Sequence, residues 1–481
     1  MNIKILRELD AFYFKDLLDL FNMDTDQLNE TLKTLIYFKI LRKLTDPSDN
    51  ELDELLEINN WKQLNTPNID DLYVFKYVGI VIVSNTCLII YPKHIDYYKE
   101  DKDNNFVVLK QFISVIKKYK YKEQRININD DGLKNNFNLL SLTLELLNNY
   151  NEHGLYINNK EIVEENGDGE ILWERTINQK SAYILENNLI YLDLYTSNQI
   201  NNNDNYFTNL HSCLLTIMTN QIKEVLNILD LKPVHLNNKR IEDFGNKEYI
   251  ISKLNQELSS QFITYKQDTL MLIKRCIQEI TDANISNNIS FIGTNNFNLV
   301  WEDVCSVVFN NCINKPIKDF EFSYYKNNKE SLLLSEIIAK PNWKHIKSNK
   351  VHIANKTLKP DIITINNKQL SIYDAKYYKL ILNENELKNY PAVNDVIKQY
   401  LYQVAYIDFA KENDITITNN AFLMPIDANT VLNIGNVNID LLVFNENNLK
   451  NIDVLLLPCK KMFKRYLNNQ LITNIKELDD E

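Results

Sequence analysis

Apolar residues along the chain change their period several times, and each change marks an element. Over the first 45 residues Leu17, Leu18 and Phe21, then Leu28, Leu32, Leu35 and Ile36, recur every three or four positions. That is the spacing of a buried helix face. Asp24 followed by Gln27 is a helix-start signal, because an Asp side chain can accept from the backbone N–H three residues on. KILRKL (39–44) is short and alternating, and TDPSDN (45–50) is a turn. The order helix, turn, helix, strand is that of a winged helix, or of a small helical packing module. YVFKYVGIVIV (73–83), the turn SNT and CLIIYPKHI (87–95) are rich in β-branched residues and predict a hairpin.

Helical periodicity returns at 106–119 and again beyond Asn138, where leucines run to Leu147. A polar, acidic, glycine-containing stretch (164–170) leads into ILWERTI, and residues 206–280 predict two or more long helices. Residues 297–445 then alternate helix, strand, strand, helix, strand, the pattern of a mixed α/β domain. The expected organisation is multidomain α/β in four regions. Residues 1–60 form a winged-helix-like helical module and 61–170 a β-rich domain suited to a partner or DNA contact. Residues 171–284 are a helical linker region and 285–481 an α/β domain.

Composition narrows the class. With 481 residues, 44% hydrophobic, and only 8 Gly and 10 Pro, the chain can build sizeable cores and is not disordered or collagen-like. Its 53 basic and 64 acidic side chains leave a net charge of −11. That excludes a globally basic coat protein and requires any nucleic-acid contact to use a local cluster. Asn occurs 71 times, and Lys outnumbers Arg 46 to 7; this reads as coding bias, so an isolated Asn or Lys carries little weight. The six cysteines are far apart, no CxxC occurs, and the histidines do not fall at zinc-ligand spacing. Reduced, buried cysteines in a cytoplasmic protein are expected. The charged amino end is no secretory signal, and the apolar stretch 77–91 is broken at Ser84-Asn85-Thr86, too short to span a bilayer.

The chemistry concentrates in LKPDIITINNKQLSIYDAKYYKL (358–380). Asp361–Ile365 predicts a strand, Asn366–Lys368 a turn and Gln369–Tyr377 a second strand. Residues two apart share a strand face, so Asp374 and Lys376 point together. Pairing across the hairpin brings Asp361 to the same end. Two carboxylates and an ammonium converging there suit metal-assisted phosphodiester hydrolysis: hard oxygen ligands for Mg²⁺, and a cation for developing charge. The alternative is an exposed hairpin with a surface Asp–Lys pair.

Two flanking helices add candidates. NLVWEDVCSVVF (298–309) carries Glu302, a further metal ligand, with Asp303 as its rival. NDVIKQYLYQVAYIDFA (394–410) offers Lys398, Gln399, Tyr402, Gln403 and Tyr406 at helical spacing, suited to DNA phosphates or to the waters of a metal; each is equally at home in a tyrosine-rich core helix.

The order helix-Glu, strand-Asp (KPD), strand-Asp-x-Lys (DAK) and helix-Gln/Tyr (KQYLYQ) resembles the PD-(D/E)xK nuclease superfamily. More narrowly, the chain resembles LlaJI-type restriction endonucleases, which are similar to McrC nuclease subunits; the likeness extends to 73–95, to LWERTI (172–177) and to DAKYY (374–378). It implies a restriction-endonuclease-like nuclease fold for 285–481, with Asp361, Asp374 and Glu302 on Mg²⁺ (Mn²⁺ able to substitute) and Lys376 as catalytic cation. It also implies cleavage of double-stranded DNA, with an McrB-like AAA+ GTPase or ATPase as partner and 73–95 as the place to seek that contact. No GxxxxGK[ST] sequence occurs, so an NTP-driven step needs a second protein. A homodimer suits double-strand cleavage.

From Ile337 to Pro360 the chain has Lys340, Lys344, Lys347, Lys350, Lys356 and Lys359, with Trp343 among them and no acid. This run enters the catalytic strand and could track phosphates; a solvated loop is the alternative. Lys110–Arg125 is a second basic stretch, and CKKMFKR near the carboxyl end reads as a solvated helix face. The rival functions are a transposon-end or repair nuclease with the same core, and a non-enzymatic winged-helix DNA-binding protein.

Overall fold

The computed structural model describes residues 2–44, 72–95, 102–126, 139–185, 188–202, 205–282, 289–320, 332–440 and 449–479. The turn expected at 45–50, and the rest of the 1–60 module beyond it, lie outside the described residues. The protein is mixed α/β with several small sheets. It packs as two compact units, residues 1–133 with 292–481, and residues 134–291. Sequence order cannot reveal that the amino-terminal segment and the carboxy-terminal domain share one packed body.

From the amino end run β1 (Asn2–Arg7), β2 (Ala11–Tyr13), α1 (Phe14–Phe21), α2 (Thr25–Tyr37), β3 (Leu41–Leu44), β4 (Leu72–Phe75), β5 (Val78–Val83), β6 (Thr86–Tyr91) and α3 (Lys102–Ile126). The two helices bury Leu17 and Phe21, and Leu28, Leu32 and Leu35, as their spacing predicts. Asp24 caps the second by accepting from the Gln27 N–H at 2.9 Å. β2, β4 and β3 form an antiparallel sheet in that order. The opening residues are not helical. Asn2–Arg7 alternate polar and apolar and pair parallel to β6, with Asn2 opposite Thr86. β5 and β6 form the expected hairpin, whereas Leu72–Phe75 joins the other sheet. Apart from Lys76, Ser84 and Asn85, every residue from 72 to 95 is buried. The place expected for a partner contact is therefore mostly core, exposed at the Ser84-Asn85 turn and partly at Lys76.

The second unit contains α4 (Leu139–His153), β7 (Asn158–Glu165), β8 (Glu170–Ile171), α5 (Trp173–Gln179), β9 (Tyr183–Leu185), β10 (Asn188–Ile190), β11 (Tyr195–Asn202), α6 (Tyr206–Gln221), α7 (Lys223–Ile228), α8 (Lys247–Ser260) and α9 (Thr264–Asp282). The long helices pack around Leu142, Leu214, Met218, Leu254 and Ile273. The segment expected to be helical also carries strands: β11 pairs antiparallel with β7 and β8, and β9 pairs with β10. The β9–β10 pair leaves Tyr183, Ile184, Leu185 and Leu189 exposed.

The chain re-enters the first unit through β12 (Ile289–Thr294), which closes a sheet of order β1-β6-β5-β12. Gly79 and Gly293 meet here at φ +148° and +157°. A Cβ on Gly79 would overlap the Ile292 carbonyl oxygen, and one on Gly293 that of Val78, so neither position tolerates a side chain. Then come α10 (Phe297–Val308), the small hairpin β13 (Asn342–Lys344) and β14 (Val351–Ile353), β15 (Ile362–Asn366), β16 (Gln369–Ala375), β17 (Ile381–Asn383), β18 (Glu386–Lys388), α11 (Val393–Glu412), β19 (Thr416–Ile426), β20 (Leu432–Val437), β21 (Ile452–Pro458) and α12 (Cys459–Leu467). Five strands make one sheet of order β15-β16-β19-β21-β20, parallel in its centre and antiparallel at both edges. α11 packs Tyr402, Tyr406 and Phe409 into one core and Val396 and Tyr400 into another.

Two basic stretches each combine exposed lysines with residues engaged in the fold. The helix carrying CKKMFKR buries Cys459, Met462, Phe463, Arg465 and Tyr466; the Arg465 guanidinium donates to the Leu471 and Glu477 carbonyls. In the 110–125 stretch, Lys118 donates to the Tyr466 carbonyl and Lys122 pairs with Asp303. Both cations are engaged within the fold. The six cysteines are free and buried, as composition suggests.

Candidate active site

The β15–β16 hairpin is built by its turn. Asn367 and Lys368 both sit at positive φ, 48° and 60°, the two-residue geometry that matches strand twist. The register runs from Asn366–Gln369 to Ile362–Tyr373, and one step further brings Asp361 opposite Asp374. The Ala375 N–H donates to Asp361 Oδ2 at 3.2 Å. Asn311 clamps this strand entry: its Nδ2 donates to the Asp361 carbonyl at 2.7 Å, and its Oδ1 accepts from the Ile363 N–H at 3.0 Å. Asp374 lies on a strand flanked on both sides and is only 7% exposed.

Lys376 and the Glu302 helix are fastened to the same strand. The Leu423 carbonyl of β19 accepts from the Lys376 N–H at 2.9 Å and from Trp301 Nε1 at 3.1 Å. The Lys376 ammonium lies 2.9 Å from Asp374 Oδ2 and 3.2 Å from Asp395 Oδ1. Its neighbour Tyr377 donates its hydroxyl to Glu8 Oε2 at 2.5 Å, tying the amino-terminal segment to the end of β16.

Electrostatics follow from crowding. Burial, then a hydrogen bond and charge repulsion from Asp374, then Glu302, push the Asp361 carboxyl up to about 9, with Lys376 opposing. Burial also raises Glu302; Lys376 offsets this and Asp374 adds to it. For Lys376, burial alone would lower the ammonium, but Asp374 and Asp395 outweigh it and hold it above its ordinary value. Burial and the nearby acids push Tyr402 up to about 12. Without a cation, then, burial and the adjacent Asp374 push the Asp361 carboxyl toward its protonated form. Among the described residues no three acidic, His or Cys side chains close into a ready-made cage. Two carboxyls touch, and Glu302 stands within electrostatic reach. Hard oxygen donors that need compensating positive charge fit a small divalent cation that keeps part of its water shell.

The other candidates separate by burial and orientation. Asp303 turns from the acids and accepts from the Tyr466 hydroxyl at 2.5 Å, leaving Glu302 as the carboxylate beside Lys376. Gln399, expected to meet phosphates, is fully buried; its amide donates to Asn420 Oδ1 at 2.8 Å and to the Ile372 carbonyl. It is a core residue with no surface for DNA. Gln403 exchanges hydrogen bonds with Lys450, and Tyr406 donates to the Leu334 carbonyl. Lys398 is exposed, 4.0 Å from Asp395, and Tyr402 stays beside the acids. Lys340, Lys344, Lys347, Lys350, Lys356 and Lys359 are all exposed on or around the β13–β14 hairpin, as is Trp343. Sequence reasoning missed Asp395 and Asn311. An acid in a first helical turn reads as a dipole partner, and one Asn among 71 carries no local signal.

A model of the LlaJI restriction endonucleases matches residues 77–459. The chain belongs to the LlaJI restriction endonuclease family. It is therefore a restriction endonuclease component, of a family of DNA nucleases. The curated relative "Type II restriction enzyme BsuMI component YdjA" of Bacillus subtilis (strain 168) is 24% identical over 413 residues, covering 82% of this chain and 81% of the relative. Among solved structures, a half-complex of Thermococcus gammatolerans McrB AAA+ hexamers with bound McrC is 15% identical, covers 97% of this chain and 100% of that one, and has a TM-score of 0.38. The cryo-EM McrBC complex of the same organism is 15% identical, covers 63% and 85%, and has a TM-score of 0.26. No helix among the described residues is long and apolar enough to cross a membrane.

Proposed function

We propose that this chain is the DNA-cleaving subunit of a phage-defence restriction system, a Mg²⁺-dependent endodeoxyribonuclease acting in the cytoplasm with a separate McrB-like AAA+ GTPase or ATPase. The observation that carries this reading is the meeting of Asp361, Asp374 and Lys376 at one end of the sheet, with Glu302 on the adjoining helix. Asp361 and Asp374 would hold the cation, with Glu302 assisting. When bound, Mg²⁺ neutralises phosphate charge and activates water. The chain's own residues do the rest. Lys376, gripped by Asp374 and Asp395, stays charged at neutral pH, orients the attacking water and receives negative charge building on the phosphate oxygens. Tyr402 keeps its proton at neutral pH and serves as a neutral donor beside the acids. Burial of the acid pair limits solvent screening, so each of these charges acts more strongly than at the surface.

Family membership supports restriction over transposition or repair. The lack of a Walker A sequence supports a separate motor. A single acid cluster cuts one strand, so a pair of chains is the assembly we assign to double-strand cleavage. The test is cleavage of plasmid DNA by the purified chain with its motor and NTP, with and without Mg²⁺. Cleavage should require the metal and disappear in Asp374→Ala and Lys376→Ala proteins that keep their fold. Wild-type cleavage by either variant rejects the assignment.

A further inference from the structure

Glu302 and Lys376 open into a cleft of about 710 Å³ whose far wall comes from the amino-terminal segment. That wall carries Lys39, Arg42, Lys43 and Lys76, from the α2–β3 turn, β3 and the β4–β5 junction. Lys39 is exposed, and the other three are partly so. Two acids, Glu8 and Glu302, share the lining with six cations, Lys376 among them, and Glu8 accepts from the Tyr377 hydroxyl and the Lys93 N–H. Lys93, deeper in the cleft, lies over the Tyr377 and Tyr378 rings at 5.0 and 5.7 Å. In sequence three of these cations lie within KILRKL (39–44) and the others are far along the chain. In the fold they line one cleft with Glu302 and Lys376.

We infer that this cleft is the strand-binding groove of the nuclease: Lys39, Arg42, Lys43 and Lys76 hold sugar–phosphate units flanking the one presented to Asp361, Asp374 and Lys376. The inference rests on the nuclease reading and adds to it the surface that positions the substrate. Three arguments carry it. A carboxylate cluster repels a polyanion, so a strand reaching it needs positive charge on the approach, and the described lining supplies it on the facing wall. A DNA strand bears a charge every ~3.4 Å along its axis, so several cations on one wall match consecutive phosphates, where a small anion would engage only one or two. The volume lies in the range of ordinary ligand sites, roughly 300–1,000 Å³, suited to a short run of one strand. Phosphate contacts of this kind position DNA without reading its sequence.

The test uses the full chain and a fluorescent DNA duplex in EDTA, so that binding is measured apart from cleavage. A Lys39→Gln, Lys43→Gln protein should bind about tenfold more weakly at low salt, and the slope of log K against log salt should shrink by about one to two. Lys39→Glu with Lys43→Glu should lower affinity further, with the thermal midpoint preserved. With Mg²⁺ and the motor, the loss should fall on KM more than on kcat. Unchanged affinity and slope in the folded charge-reversed protein overturn the groove, as does a wild-type chain that binds no DNA. Failure of the nuclease reading is separate: it is Asp374→Ala cleaving like wild type, whatever the lysine variants do.

Discussion

Two lysine-rich regions of this molecule behave in opposite ways. The 337–360 run is dense in sequence, free of acids and exposed throughout its lysines on a small hairpin. The cleft wall takes three of its four outer cations from KILRKL (39–44) and the fourth from Lys76, and the α2–β3 turn, β3 and the β4–β5 junction bring them into one cleft with Glu302 and Lys376. The first is positive charge by composition and the second by convergence. Electrostatic guidance depends on where charges meet a low-dielectric cleft, and there the second has the advantage.

The largest expected effect tests the point on which both regions would act. Asp374→Ala should reduce Mg²⁺-dependent cleavage at least about 10²–10³-fold, in line with the loss of a positioned charge in an active site, while DNA binding in EDTA survives. Next comes the docking that forms the cleft. Gly79→Ala should destabilise the protein by about 2–3 kcal/mol, because a side chain there drives β5 against the Ile292 carbonyl and must be absorbed by backbone shifts. Thermal or denaturant unfolding measures it; a midpoint like wild type removes the interlock as the cause of that docking. The cleft variants, at about tenfold in binding, follow. Smallest is the hairpin: Lys344→Gln with Lys347→Gln should weaken binding only two- to threefold, as expected of exposed cations that are strongly screened. If the hairpin pair costs more than the cleft pair under the same salt, the comparison is reversed and the sequence-dense run is the DNA face.

Local signals were legible wherever a short segment determined its own geometry. The Asp24 cap, the leucine faces of α1 and α2, the β5–β6 hairpin and the β15–β16 pair were all readable, because each needs only a period and a turn. β1 was not: its alternation spans six residues, and its partner β6 lies far along the chain. The exposed apolar β9–β10 pair was hidden inside a stretch whose leucines and isoleucines suggest helix. Gln399 looked like a phosphate contact because polarity is visible in sequence, whereas burial on α11 is not.

The sequence by itself determined that Asp361, Asp374 and Lys376 share one end of a hairpin, since strand alternation and a two-residue turn leave little freedom in register. It also determined the two amino-terminal helices and the β5–β6 hairpin that follows them. Only the tertiary structure decided that Glu302 and not Asp303 faces the acids, because that depends on which side of α10 packs against α12. Only it joined residues 1–133 to 292–481 as one body and thereby put basic residues of the amino-terminal segment into one cleft with Glu302 and Lys376. The physical reason is one of range. Periodicity and turns are fixed by neighbours in the chain, whereas the electrostatics of a cleft are fixed by which distant surfaces come into contact.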